Sequence, residues 1–171
     1  MRTSVSEKVD RSKLKEVLGY LMSLERAKGK RLPETHYMKI LWFFEGFSYL
    51  ITGTASIGIK FAKHDYGPYS KVVKDTLREL RSLKEDKPRG LLKEWEIKLL
   101  SMLFVKLSSK PAKFVSEITH GKYYRTKRHG EKLHPLAILE YFIEKPSEED
   151  RKWALEAYER FKKEQSERGL F

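Results

Sequence analysis

Between Glu34 and Leu50 the apolar residues Met38, Ile40, Leu41, Trp42, Phe43, Phe44 and Phe47 fall on nearly every face of a helix. A helix that is apolar all round cannot lie on a surface, so it has to be the buried axis of a helical domain that the rest of the chain wraps. It is not a membrane span. Its greasiest run, Tyr37 to Ile51, is interrupted by Lys39, Glu45 and Ser48, and falls short of the roughly 20 apolar residues that a span needs. A chain of 171 residues supplies enough wrapping for one domain that buries roughly 70% of its unfolded surface.

The flanking segments read as that wrapping. Residues 10–28 carry Leu14, Val17, Leu18, Leu21 and Met22 at the i, i+3, i+4, i+7, i+8 spacing of an amphipathic helix. Gly29 is its expected C-cap, Pro33 opens the central helix, and Thr52 with Gly53 ends it. The period then changes. Ile57, Ile59 and Phe61 alternate with Gly58, Lys60 and Ala62, as in a half-buried strand. His64 to Ser70 reads as a turn, with Ser70 the N-cap of a helix to about Leu83, and Lys84 to Gly90 as a loop. Further helices are predicted at about Leu92–Leu107, Pro111–Thr119 and Pro135–Glu144. Lys122 to Leu133 reads as basic and irregular, or as a small hairpin around Gly130. A last amphipathic helix starts at Ser147, with Trp153, Ala154, Ala157, Tyr158 and Phe161 on its apolar face. The fold class is therefore mainly α: a single compact helical domain of about six to seven helices with one short β-strand or hairpin, a winged-helix-like arrangement being the variant. Residues 1–145 form its body and residues 146–171 a C-terminal helix packed on it.

Most enzyme chemistries have no residues to work with. The absence of cysteine removes disulfides, thiolate nucleophiles and cysteine-ligated metals. His36, His64, His120, His129 and His134 match no metal-ligand spacing, and no glycine-rich phosphate loop is present. His64 beside Asp65 could orient an imidazole, but no hydroxyl nucleophile pairs with it. No cofactor, metal or catalytic activity is expected. The chain also has no Asn and a single Gln, Gln165, beside abundant Lys, Glu and Arg, a heat-adapted composition. Its first residues show no apolar run after their charges, so no signal peptide is read and a cytoplasmic protein is expected.

The charge is more informative. The chain holds 36 Lys and Arg against 24 Asp and Glu, a formal charge of +12. Residues 1–135 hold 29 against 15, whereas residues 136–171 hold 7 against 9. Two patches stand out. Lys71, Lys74, Arg78 and Arg81 recur at i, i+3, i+7 and i+10 on one stripe of the 70–83 helix, with Val73, Leu77 and Leu80 turned inward. Lys122, Arg125, Lys127, Arg128 and Lys132 surround Tyr123 and Tyr124. Cations so grouped suit phosphates or an acidic partner, and tyrosines suit stacking on unpaired bases. A solvated surface rich in Lys and Arg accounts for them equally well. Tyr69, Tyr123 and Tyr124 read either as interface anchors or as core residues.

Four pieces then follow in order: Lys39 leading Ile40, Leu41, Trp42, Phe43 and Phe44; Thr52-Gly53; Tyr66-Gly67-Pro68-Tyr69-Ser70; and Val115-Ser116-Glu117-Ile118-Thr119-His120. Over roughly residues 12–145 this order resembles the Panacea domain of SocA-like antitoxins. The resemblance implies a mostly helical domain without cofactor or chemistry that binds and neutralises a toxin protein or, in some members, delivers it to a protease. A second resemblance competes with it. Trp95 to Val115, followed by Tyr123 to Leu133, is similar to the later part of a winged-helix regulator, whose wing touches phosphate. The 70–83 helix would then enter a major groove. The reading adopted from the sequence is a non-enzymatic, antitoxin-like interaction domain with a toxin-like protein partner and no membrane. The alternative is a winged-helix-type DNA-binding regulator that uses helix 70–83 and loop 122–132.

Overall fold

Asp10 opens the first helix, α1 (Arg11–Lys28), by accepting a hydrogen bond from the Lys13 backbone N–H at 3.0 Å, and Gly29 ends it in the left-handed conformation at φ 72°. The computed structural model describes residues 8–83, 89–135, 137, 138 and 163. The central helix is α2 (Glu34–Thr52), in which every residue from His36 to Ser48 is buried. It is followed by β1 (Phe61–His64), β2 (Gly67–Tyr69), α3 (Lys71–Leu83), α4 (Glu94–Ser108), α5 (Ala112–Glu117), α6 (Lys122–Thr126) and β3 (Lys132–Leu133). Among the described residues the fold is thus six helices and one small sheet, the mainly helical class with a small β element that the sequence predicts. α4 and α5 pack on α2, while α1 packs on α3 and α4. One core runs through all of them, including Leu14 and Leu18 of α1, Leu41 and Phe44 of α2, Leu77 of α3, and Leu99 and Leu103 of α4. Each such side chain contributes about 1.5–3 kcal/mol by leaving water.

The core buries two carboxylates, Glu45 of α2 and Glu96 of α4, and the chain has to answer them. Glu45 is fully buried. Its two carboxylate oxygens accept four backbone N–H groups, from Ser56 and Ile57 at 2.9 Å, Gly58 at 2.7 Å and Ile59 at 2.8 Å. Burial pushes this carboxyl upward in pKa, and the four N–H groups pull it back down. Glu96, also buried, takes the Lys93 N–H at 2.9 Å, the Lys13 ammonium at 2.7 Å and the Ser56 hydroxyl. These two carboxylates hold the connection between α2 and β1.

That wiring removes the first part of the strand expected over residues 57–62. Ile57 and Ile59 are buried as their alternation requires, but their N–H groups go to Glu45 and leave no ladder to form. Pairing begins only at Phe61. The sheet has the order β2-β1-β3, antiparallel throughout, with Ala62 opposite Tyr69 on one side and Lys132 on the other. Residues 122–133 are also corrected. They form no hairpin of their own around Gly130: their first turn is α6, and β3 pairs with β1 instead. Leu133 is buried opposite Phe61, so the apolar core decides that pairing. Residues 135, 137 and 138 continue as a 3-10 turn. The rest of the helix expected to Glu144, the C-terminal helix from Ser147 and most of the 84–90 loop lie outside the described residues.

Gly46 sits inside a helix for a packing reason. A Cβ there would stand 2.6 Å from Ile138 Cδ1 and 2.7 Å from the Pro135 carbonyl oxygen. Gly46→Ala is therefore expected to cost about 1–3 kcal/mol through overpacking. Glu45→Ala leaves four backbone N–H groups without an acceptor and is expected to cost more than about 3 kcal/mol. Urea unfolding of both variants beside the parent protein measures the two effects.

Candidate functional site

Strands β1 and β2 meet in a two-residue turn, Asp65-Tyr66, closed by the His64–Gly67 pair. Gly67 holds φ 108°, and a Cβ on it would lie 2.4 Å from Thr119 Oγ1 and 2.8 Å from Lys39 Cε, so only glycine fits. Three helices then grip the turn through its carbonyls. The Tyr124 hydroxyl of α6 donates to the His64 carbonyl. Ser116 Oγ of α5 donates to the Tyr66 carbonyl at 2.7 Å. Lys39 Nζ of α2 donates to the Pro68 carbonyl at 2.8 Å. Alternate carbonyls are drawn inward, and the Tyr66 side chain is left 72% exposed at the tip.

The grip is built from buried polar groups. Lys39 is 2% exposed, and burial pulls its ammonium down to about 7. Thr119 Oγ1 donates to the Ser116 carbonyl at 2.7 Å and so tightens the end of α5. The His120 ring stacks on Tyr124 with centroids 4.3 Å apart and planes 5° apart, and its Nε2 has no hydrogen-bond partner among the described residues. Burial first, and the Lys39 charge second, lower the His120 pKa. Burial raises that of Tyr124.

Outside the grip, rings and cations line up. Tyr69 stacks on His64 at 4.1 Å, His64 lies 4.6 Å from His129, and Lys74 Nζ is 5.8 Å above the Tyr69 ring. His129 Nδ1 is 3.7 Å from an Asp65 oxygen. The His64 pKa is lowered by burial and then by His129. The loop that carries His129 is fastened to β1: the Lys63 N–H donates to the Glu131 carbonyl at 2.9 Å, and the Gly130 N–H to the Lys63 carbonyl at 2.8 Å. Lys63 Nζ reaches the Lys127 carbonyl at 2.9 Å and lies 4.5 Å from the Tyr124 ring centre. The start of α3 and the second basic patch thus meet on one side of the hairpin.

The residues singled out by sequence divide accordingly. Lys39, Tyr66, Gly67, Pro68, Ser116, Thr119 and His120 come together at the turn. Tyr69 joins the ring line, and Ser70 caps α3 by accepting the Val73 N–H at 3.3 Å. Thr52 and Gly53 do not join; they terminate α2, with Thr52 Oγ1 bonded to the Ser48 carbonyl and Gly53 at φ 82°. On α3, Lys71 pairs with Asp75 at 2.8 Å, Arg78 with Glu34 at 2.8 Å and Arg81 with Glu25 at 2.9 Å. Arg81 also covers the Tyr37 ring at 5.2 Å. In the second patch Lys122, Arg128 and Lys132 are exposed, Arg125 donates to the His120 carbonyl, and Lys127 lies 4.7 Å from the Tyr123 ring centre. Tyr124 is buried and Tyr123 half-buried. Sequence reading passed over Tyr66 as an anchor, although the tip of a two-residue hairpin necessarily turns side chains outward.

The motif pieces, far apart in sequence, therefore converge on one small structural device. The chain belongs to the antitoxin SocA-like, Panacea domain family, whose profile matches residues 37–167. No curated protein and no solved structure matches it. No described helix is long and apolar enough to cross a membrane.

Lys39 makes the grip sensitive to pH. Unfolded, its amine keeps a proton to about 10.5; folded, it releases it at about 7. Between those values the unfolded chain binds more protons, so stability rises with pH. Urea midpoints are expected to climb from pH 7 to pH 9 in the parent protein and to stay flat in Lys39→Met. The lowered His36, His64 and His120 titrate below this window, and the raised Tyr37 acts above it.

Proposed function

We propose that this chain is a non-enzymatic antitoxin that binds a toxin protein directly, with the β1–β2 tip at the centre of the contact. The observation that carries the reading is the three-helix grip: Tyr124, Ser116 and Lys39 each commit a buried or half-buried donor to one carbonyl of a single turn. An exposed tyrosine on a backbone already fixed has no backbone entropy left to lose on binding, which favours an interface hot spot. Catalysis is not needed to explain the convergence of the three donors, because each is committed to a carbonyl of the turn.

Co-expression with the product of whichever reading frame adjoins the gene tests this. The parent chain is expected to restore growth and to co-purify with that product, and Tyr66→Ala to weaken the complex about tenfold or more. Ser116→Ala is expected to weaken it less, by loosening the turn. A parent chain that neither restores growth nor co-purifies overturns the reading.

Duplex DNA is the second reading, favoured by Lys74, Lys122, Arg128 and Lys132. On α3, however, Lys71, Arg78 and Arg81 each sit beside a carboxylate of this chain, Lys71 and Arg78 at the exposed surface and Arg81 mostly buried. Those carboxylates oppose phosphate, so binding to a 20-base-pair duplex is expected to be weak and to vanish between about 50 and 200 mM salt. Tight binding at the higher salt, measured by fluorescence anisotropy, would carry the second reading instead.

A further inference from the structure

Residues 60–75 and 122–134 lie side by side through the β1–β3 pairing and the loop bonds to Lys63. They carry nine Lys and Arg against three Asp and Glu. That surplus is half of the chain's +12, concentrated in about a sixth of its length. The three carboxylates each have a neighbour and stay exposed: Asp65 lies 3.7 Å from His129, Asp75 pairs with Lys71 at 2.8 Å, and Glu131 lies 4.0 Å from Lys127 and accepts the Arg128 N–H. Lys74, Arg128 and Lys132 have no carboxylate partner among the described residues.

The sheet register says how these cations are disposed. Tyr69, Ala62 and Lys132 lie directly opposite one another across the three strands, so they share a face. His64, two residues after Ala62, shares it too, as its stacking on Tyr69 confirms. The other face carries Phe61 and Leu133 into the core. The outer face is therefore a shallow platform: a small residue, Ala62, at its centre, rings at one end, Lys132 at the other, and Lys74 above Tyr69. Three strands spaced about 4.8 Å apart make it about 10 Å across, the width of an extended peptide segment.

We infer that this outer sheet face is the docking platform for an acidic segment of the partner protein, with Tyr66 as the apolar anchor beside it. A peptide sets its carboxylates at intervals and can match Lys74 and Lys132 while avoiding Asp65. A duplex presents an unbroken line of phosphates, which the 86% exposed Asp65 side chain and the 48% exposed Glu131 side chain at the margins repel.

The inference rests on the partner-binding reading, and two measurements keep their failures apart. With the adjoining gene's product, Lys74→Glu/Lys132→Glu is expected to weaken binding at least about tenfold, and the parent's affinity to fall between 50 and 200 mM salt. Arg11→Glu/Lys98→Glu, an equal charge change on α1 and α4, is expected to change it less than about twofold. Binding by the parent with no loss in the platform variant, or with equal loss in both variants, overturns the inference and leaves the reading standing. The second measurement needs no partner. A fluorescein-labelled twelve-residue peptide alternating Glu with Leu and Tyr is titrated against the protein, beside the same peptide with Lys for Glu and a 20-base-pair duplex. The acidic peptide is expected to bind, and to shift the NMR signals of the His64 and His129 imidazoles. No binding, binding that leaves those signals unmoved, or tighter binding of the duplex overturns the inference.

Discussion

Two ionisable side chains of opposite kind in the buried stretch of one helix organise this molecule. Lys39 and Glu45 are six residues apart on α2, about 120° round its axis, and neither reaches solvent. A buried charge left without partners costs several kcal/mol, so the surrounding chain has to supply them. It does so with backbone outside the helices. Glu45 collects the four N–H groups of Ser56 to Ile59, and Lys39 takes the Pro68 carbonyl. The connection after α2 and the hairpin after it are thus shaped by what the central helix demands.

The hairpin carries this logic to the surface. Its turn is too short to have a core of its own, and an isolated two-stranded hairpin is marginal in water. Tethering to α2, α5 and α6 turns it into a fixed feature, and the glycine at position 67 permits the approach of Lys39 and Thr119. A binding surface built this way inherits the stability of the helical body. It also inherits the titration of Lys39, since the same amine that holds Pro68 is the one that burial discharges.

Net charge alone says little about where cations are available. Arg81 and Arg78 complete ion pairs with Glu25 and Glu34, tying α3 to α1 and α2, and Lys13 serves Glu96. The Arg81 pair is mostly buried and closes α3 against α1. On the α3 stripe Arg78 and Arg81 are thus fastenings, whereas Lys71 pairs within its own helix and Lys74 leans over the sheet. Beside the sheet, Arg128 and Lys132 stay exposed where β1, β3 and the 127–131 loop meet.

Much of the helical frame was legible in the chain. The periodicity of Leu14 to Met22, the cap at Gly29, the all-round apolar run of α2 and the cap at Ser70 each mark structure within a few residues, because helix burial repeats locally and caps are local chemistry. The family motif was legible as an order of short pieces. What those pieces do was not: Lys39, Gly67, Ser116 and His120 are spread over more than 80 positions, and no local rule brings them to one turn. The sheet was hidden for a related reason. Strands of four, three and two residues are too short to show a period, and β1 finds its second partner almost 70 residues on. The alternation at Ile57 and Ile59 reported burial correctly but pairing wrongly, because Glu45 claimed their N–H groups. By itself, then, the sequence determined a helical domain around one buried axis, which nearest-neighbour periodicity is enough to specify. The tertiary structure alone decided which polar groups meet, since each buried charge takes its partner from whatever backbone the packing brings within about 3 Å.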